Sequence, residues 1–264
     1  MSNRVEKHGE KIVQDTRNLI SLRYRTVTKA INNEFWNSIS DTSHSLYVGS
    51  YGRNTAINTS DIDILVELPN SLFDYYNNLS GNSQSRLLQA VRIAILNAYP
   101  RSDVRADGQV VKIAFSDGMR FEIIPTFKSI YGVYKYPNTN NGGNWESTNP
   151  KAEQEAMAER NRNSNGLLYD TCKHIRFIRD NYFSSYHLSG IVIDSFVYAA
   201  IGNWRWLNSG ESSSPSGTYE QVLLDYYNQH GICYGMSLNA PGSNDTVSTA
   251  SSYECLGKVL RYMI

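Results

Sequence analysis

The chain has 264 residues, enough for one large domain or for two lobes sharing an interface. Lys+Arg and Asp+Glu balance at 25 each, so no global basic field draws the protein onto double-stranded nucleic acid. Three widely spaced cysteines, Cys172, Cys233 and Cys255, argue against a zinc ribbon or a disulfide framework and suit a reducing cytosol, and no apolar run nears the roughly 20 residues of a membrane span. The opening MSNRVEKHGEK has no apolar stretch of the signal-peptide kind, so a cytoplasmic protein without a membrane partner is expected.

From about Val5 to Ile39 the apolar residues recur near helical spacing, which predicts a long spine helix. Leu46–Val48 reads as a first strand and Ile62–Glu67 as a second, joined through Gly49-Ser50 and a short helix. The second strand sets β-branched Ile62, Ile64 and Val66 on one face. Asp61 and Asp63 share the other, where two acids repel each other unless a cation lies between them. That face is fit to hold a divalent metal. A Gly-Ser pair opening a helix offers backbone N–H groups and a hydroxyl to a phosphate. Metal carboxylates placed just after a phosphate cradle are what nucleotidyl transfer needs.

Leu72–Tyr76 and Gln84–Ala98 read as helices, the second ended by Tyr99-Pro100. A hairpin follows. Val111, Ile113 and Phe115 alternate with Lys112 and Ala114, Ser116-Asp117-Gly118 makes the turn, and Arg120–Pro125 returns. Glu122 sits between Phe121 and Ile123, and a carboxylate in so apolar a strand needs a partner. It is either a third metal ligand beside Asp61 and Asp63 or a glutamate bonded to a basic residue; Asp103 and Asp107 are the next candidates for a third acid. Gly132 to Lys151 is rich in Asn and Gly and reads as a loop between lobes, with Trp145 as a packing anchor. The division expected is therefore 1–131 and 132–264.

Beyond it the chain reads as mainly helical: Ala152–Asn161, Tyr169–Tyr182, a long core helix after SSYHLSG, Tyr219–Asn228 and Ser248–Tyr262, with a loop at Gly210–Gly217. Lys173, Arg176 and Arg179 recur at spacing three, which fits either a solvated basic face or a phosphate clamp. Ser185 reads as a helix cap and Tyr186 as a packing residue on local grounds alone.

Gly49-Ser50, ten residues, then Asp61-Ile62-Asp63 resembles the GS-x(10)-DxD pattern of the polymerase-beta-type nucleotidyltransferase superfamily. The fuller string GSYGRNTAI…SDIDILV, with EIIP, WESTNP, R-x-x-R, SSYH and a late Pro-Gly loop, resembles the cGAS/DncV-like nucleotidyltransferases, the bacterial relatives of cyclic GMP-AMP synthase. The resemblance covers nearly the whole chain and is most specific at 49–67 and 120–125. It implies an α+β, two-lobed polymerase-beta-like fold, with a mixed sheet, an N-terminal spine helix and a C-terminal helical lobe.

The resemblance also implies roles. Asp61, Asp63 and Glu122 would be the catalytic metal ligands, although many relatives carry Asp in place of Glu122. Gly49, Ser50, Arg176, Arg179 and Ser185 would contact the triphosphate, and Tyr186 would stack on the donor base. Two Mg2+ ions, replaceable by Mn2+, are the implied cofactors. The implied activity joins NTPs into a cyclic di- or trinucleotide messenger with release of pyrophosphate, in anti-phage signalling of the CBASS type, the product being read by an effector. The alternatives are transfer to another acceptor (tRNA, protein or small molecule) and a non-catalytic nucleotide sensor.

Overall fold

The computed structural model describes residues 3–57, 61–211 and 217–264. The central part of the Gly210–Gly217 loop, 212–216, lies outside the described residues. By packing the chain forms two compact units, one of residues 12–52 and 58–149, the other of 1–11, 53–57 and 150–264.

The first unit is a mixed sheet with helices. Helix α1 is Gln14–Trp36, β1 is Ser45–Tyr47, the one-turn α2 is Gly49–Gly52 and β2 is Ile62–Glu67. Then come α3 (Asn70–Asn77), α4 (Ser83–Ala98), β3 (Asp103–Asp107), β4 (Val110–Ala114) and β5 (Arg120–Lys128). The strand order is β1-β2-β5-β4-β3. Only β2 and β5 run parallel among these neighbours. Helix α4 starts where Asn82 accepts a hydrogen bond from the Ser85 N–H at 3.0 Å, a side-chain cap.

One sheet face is greasy. Ile62, Ile64 and Val66 of β2 pack with Phe121 and Ile123 of β5, Val111 and Ile113 of β4, and the apolar stripes of α1 and α4. Each such side chain, fully buried, contributes about 1.5–3 kcal/mol. The opposite face carries only a small cluster, Val48, Leu65 and Tyr134, with Leu46 and Ile124 against it. Polar side chains of β2, β5 and β4 stand on that same face.

Two expectations are corrected in this unit, and one strand is added. The N-terminal helix begins at Gln14, not near Val5. Strand β3 carries only a short signal: in DVRAD, Val104 and Ala106 alternate with exposed Asp103, Arg105 and Asp107 at an outer position of the sheet. Residues 132–149, read as a loop, contain the hairpin β6 (Tyr134–Asn138) and β7 (Asn144–Thr148), which extends the sheet from β5. Its Trp145 anchors packing against Phe73 and Phe127, as expected. Strand β5 also runs on through Pro125. Residues 120–123 pair with β4 and 127–128 with β6, so Pro125 falls in the gap between those partners. There its missing N–H costs no ladder bond.

The second unit is helical: α5 (Pro150–Asn163), α6 (Leu167–Tyr182), α7 (Gly190–Ala200), α8 (Tyr219–Gln229) and α9 (Tyr253–Tyr262). A two-stranded piece, β8 (Leu238–Asn239) with β9 (Thr246–Val247), brackets the Pro241-Gly242 loop. Leu168, Cys172, Ile175, Phe196, Val197, Leu256 and Leu260 belong to its core. The N-terminal segment is tied to this unit by polar bonds. Val5 N–H donates to Glu220, His8 N–H to Asp170, and Lys173 Nζ to the Gly9 carbonyl. With its amides so engaged and Gly9 at φ +54°, the segment is extended rather than helical.

Candidate active site

Asp63 and Glu122 are direct partners across the parallel β2–β5 pair. Paired residues of adjacent strands project to the same face, so two carboxylates stand side by side. Asp61 is exposed one residue before β2 begins. The side of Asp63 away from β5 is closed by the Gly-Ser turn. Val48 N–H donates to the Asp63 carbonyl at 2.9 Å, and Gly49 follows at φ +59°. A Cβ on Gly49 would lie 2.7 Å from Asp63 Cγ and closer still to Oδ2. Only glycine lets the backbone come so near this carboxylate.

Across the hairpin, Lys112 of β4 pairs with Glu122. Its ammonium lies 3.5 Å from Glu122 Oε1 and 2.7 Å from Asp107 Oδ2. The Asp107 hydrogen bond and the Glu122 charge raise the Lys112 pKa, which keeps it a cation. Glu122 thus stands beside Asp63 and also has a basic partner. Asp103 and Asp107 lie on β3, where Asp103 pairs with Arg105 at 2.8 Å and Asp107 with Lys112. They are neighbours of the acidic row, not members of it. The all-carboxylate donor set and the bare Gly49 fit a hard divalent cation. Ser50 lies in α2, directly after Gly49.

The helical unit holds the other sequence candidates. Arg176 is neither solvated nor free to clamp a phosphate. It is 3 % exposed, and its guanidinium donates to Asp194 at 2.7 and 3.0 Å and to the carbonyls of Gly190 and Cys172. Asp194 is fully buried and also accepts from Arg53 Nε at 2.9 Å and Thr55 Oγ1 at 3.0 Å. Burial alone would raise the Asp194 pKa, but the two guanidiniums outweigh it and hold the carboxyl below its ordinary value. Arg53 reaches on to Glu153 at 2.8 Å. This is a structural ion network. Lys173 is likewise buried, on the Gly9 carbonyl.

Arg179 differs from Arg176. Its Nε pairs with Asp180 at 2.6 Å and its Nη1 donates to the Leu188 carbonyl, which aims it at the turn carrying Ser185 and Tyr186. Ser185 is exposed and lies well before α7, so it does not cap that helix; Ser189 holds the cap position. The Tyr186 ring is 39 % exposed, with Lys258 Nζ of α9 at 4.6 Å from its centroid. Lys258 escaped the sequence reading because no motif surrounds it. Lys112 was findable: the Asp-Gly turn centred at residue 117 sets 112 opposite 122.

Residues 8–161 match the family model described as "Second Messenger Oligonucleotide or Dinucleotide Synthetase domain". A probable cyclic nucleotide synthase of Bacillus cereus is 23 % identical over 66 % of this chain and 58 % of its own length. A cyclic AMP-AMP-AMP synthase of an Acinetobacter species is 26 % identical over 58 % of this chain and 45 % of its own. The chain thus spans about half the length of the curated relatives it matches. Among solved structures, a cyclic dinucleotide synthase of Elizabethkingia meningoseptica, with GTP and a nucleotide analogue bound, superposes with a TM-score of 0.61. That likeness covers 98 % of this chain and 94 % of the other at 15 % identity, and it carries the α+β polymerase-beta-like fold.

Proposed function

This chain belongs to the family of second messenger oligonucleotide or dinucleotide synthetase domains, and we propose from that premise that it joins NTPs into a cyclic di- or trinucleotide with release of pyrophosphate. The observation that carries the reading is the acid pair Asp63–Glu122 on adjacent parallel strands, with the Gly49 backbone pressed against Asp63.

In this reading Asp61, Asp63 and Glu122 hold two divalent cations, Mg2+ or in its place Mn2+. When bound there, the cations lower the pKa of an attacking ribose hydroxyl and neutralise charge on the triphosphate and leaving pyrophosphate. The chain's own residues do the positioning, which dominates phosphoryl-type transfer. Gly49 keeps the turn close to the carboxylates, and Ser50 with its neighbouring amides receives the β- and γ-phosphates. Lys112 neutralises Glu122 until a cation takes that role. Arg179 and Ser185 contact phosphate, and Tyr186 stacks on a base. Arg176 is withdrawn from the phosphate contacts, because its donors are spent on Asp194, Gly190 and Cys172. Anti-phage signalling from the cytoplasm through an effector that reads the product completes the proposal; it rests on the family resemblance.

The test is pyrophosphate release from NTPs with Mg2+ and no other acceptor. Asp61→Ala with Asp63→Ala abolishes release while the fold persists, since like charges are removed from one face. Release within a few-fold of wild type would refute the acid assignment. Release only on addition of tRNA, protein or a small molecule would point to another acceptor.

A further inference from the structure

A second cluster of ligating side chains lies in the helical unit. Glu6, His8 and His174 each offer a ligand atom, and these atoms all lie within 4.8 Å of one another. Among the described residues no other group of three or more His, Cys, Asp or Glu meets that measure. His174 is fully buried in the middle of α6, and His8 is 6 % exposed on the extended N-terminal segment.

One hydrogen bond fixes the tautomer of His174. His174 Nε2 lies 3.0 Å from the Asn3 carbonyl, which only accepts, so Nε2 carries the proton. His174 Nδ1 is then a bare lone pair, and it faces His8 Nε2 at 2.9 Å. His8 Nδ1 is buried and has no hydrogen-bond partner. With the His8 proton on that atom, His8 Nε2 is a second lone pair facing the first, and a cation between the two nitrogens satisfies both. The protein's own groups therefore do not complete the ring chemistry of this pair, while the Glu6 carboxylate makes no hydrogen bond or ion pair among the described residues.

We propose that Glu6, His8 and His174 form a zinc site that clips the N-terminal segment to α6. Two imidazoles and a carboxylate are a donor set for Zn2+, not for Mg2+. Two Zn–N bonds of about 2.0 Å at a tetrahedral angle set the nitrogens roughly 3.3 Å apart. The His8–His174 separation of 2.9 Å needs only a small opening to admit the ion. The His174 Nε2–H bond to Asn3 is the outer-shell contact that ligating histidines make to backbone carbonyls. Water fills the fourth position. The clip closes a long loop, where a cross-link restricts the unfolded chain most.

The experiment uses the full chain, stripped with chelator and dialysed, then given equimolar Zn2+ in excess Mg2+. Bound zinc is read by native mass spectrometry and stability by thermal denaturation. The expected result is one zinc retained per chain and a Tm raised by about 5 °C when zinc is well above its Kd. Glu6→Gln and His8→Gln, both conservative enough to keep the fold, each weaken zinc binding by about tenfold or more. Asp61→Ala with Asp63→Ala leaves zinc binding unchanged. The proposal is overturned if wild type retains no zinc. It is equally overturned if both single variants retain zinc as wild type does, or if zinc is lost in the double aspartate variant.

Discussion

Gly49→Ala is the substitution that separates backbone geometry from chemistry at the acid pair. Gly49 has φ +59°, where a residue with a Cβ costs about 1–2 kcal/mol. The new Cβ would stand 2.7 Å from Asp63 Cγ, against an ordinary carbon–carbon contact of about 3.5–4.0 Å. Asp63 must therefore swing away by about 0.8 Å or more. Holding it off its rotamer adds about 0.5–1.5 kcal/mol. The sum, about 2–3 kcal/mol, lowers Tm by roughly 4–10 °C. A displacement near 1 Å of a reacting group costs on the order of 100-fold in turnover. Gly49→Asn, which tolerates positive φ better, keeps the clash and should lose turnover as fully while losing less stability.

A double-mutant cycle isolates the clash. In the presence of Asp63→Ala, Gly49→Ala keeps its backbone strain but meets no carboxylate. The stability cost of the pair should then fall short of the sum of the singles by about 1 kcal/mol. Thermal denaturation and pyrophosphate release read the two effects. Additive stabilities, together with Gly49→Ala turnover within threefold of wild type, would refute the packing of the turn on Asp63.

Other outcomes follow from the same contacts. Lys112→Met leaves stability within about 1 kcal/mol, because the lysine is half exposed, and lowers the Mg2+ concentration needed for half-maximal turnover; a higher requirement would show that Lys112 supports the site instead of competing for Glu122. Arg176→Ala destabilises by about 3–5 kcal/mol by stripping a partner from buried Asp194, whereas Arg179→Ala leaves Tm nearly unchanged and raises the apparent KM for NTP; the reverse ranking in a thermal scan would overturn the distinction. With Asp194 held below its ordinary pKa, its contribution is present above about pH 4 and lost as pH falls through the lower folded value, so Arg53→Met should move the acid-unfolding midpoint to higher pH; an unmoved midpoint would count against the network. Tyr186→Ala should weaken nucleotide binding about 5- to 100-fold, the range for one base–aromatic stack, with Tyr186→Phe near wild type; unfolding with unchanged affinity in the folded fraction would make the ring structural.

Much of the sheet unit was legible because its signals are local. The alternation in IDILVE, the Asp-Gly turn and the apolar face of α4 each specify their own element within a few residues. The nearness of Glu122 to Asp63 was legible only through the family resemblance, since it depends on β2 lying beside β5, strands distant in sequence whose pairing no local signal specifies. What the sequence hid depends on distant partners. Arg176 sits in an R-x-x-R spacing that suits a clamp, yet Asp194, 18 residues on, draws it inward. Val5 and Ile12 continue a helical period, yet Glu220 and Asp170 take the amides of Val5 and His8. The β6–β7 hairpin is masked by an Asn- and Gly-rich composition that suits a loop as well as a turn between short strands.

The most direct test of the account is mass spectrometry of the products formed from the four NTPs and Mg2+ by the protein alone. The account predicts a cyclic di- or trinucleotide accompanied by pyrophosphate, absent when Asp61 and Asp63 are both alanine. Unconsumed NTPs at high protein concentration with either Mg2+ or Mn2+, or linear products that never close, would contradict it.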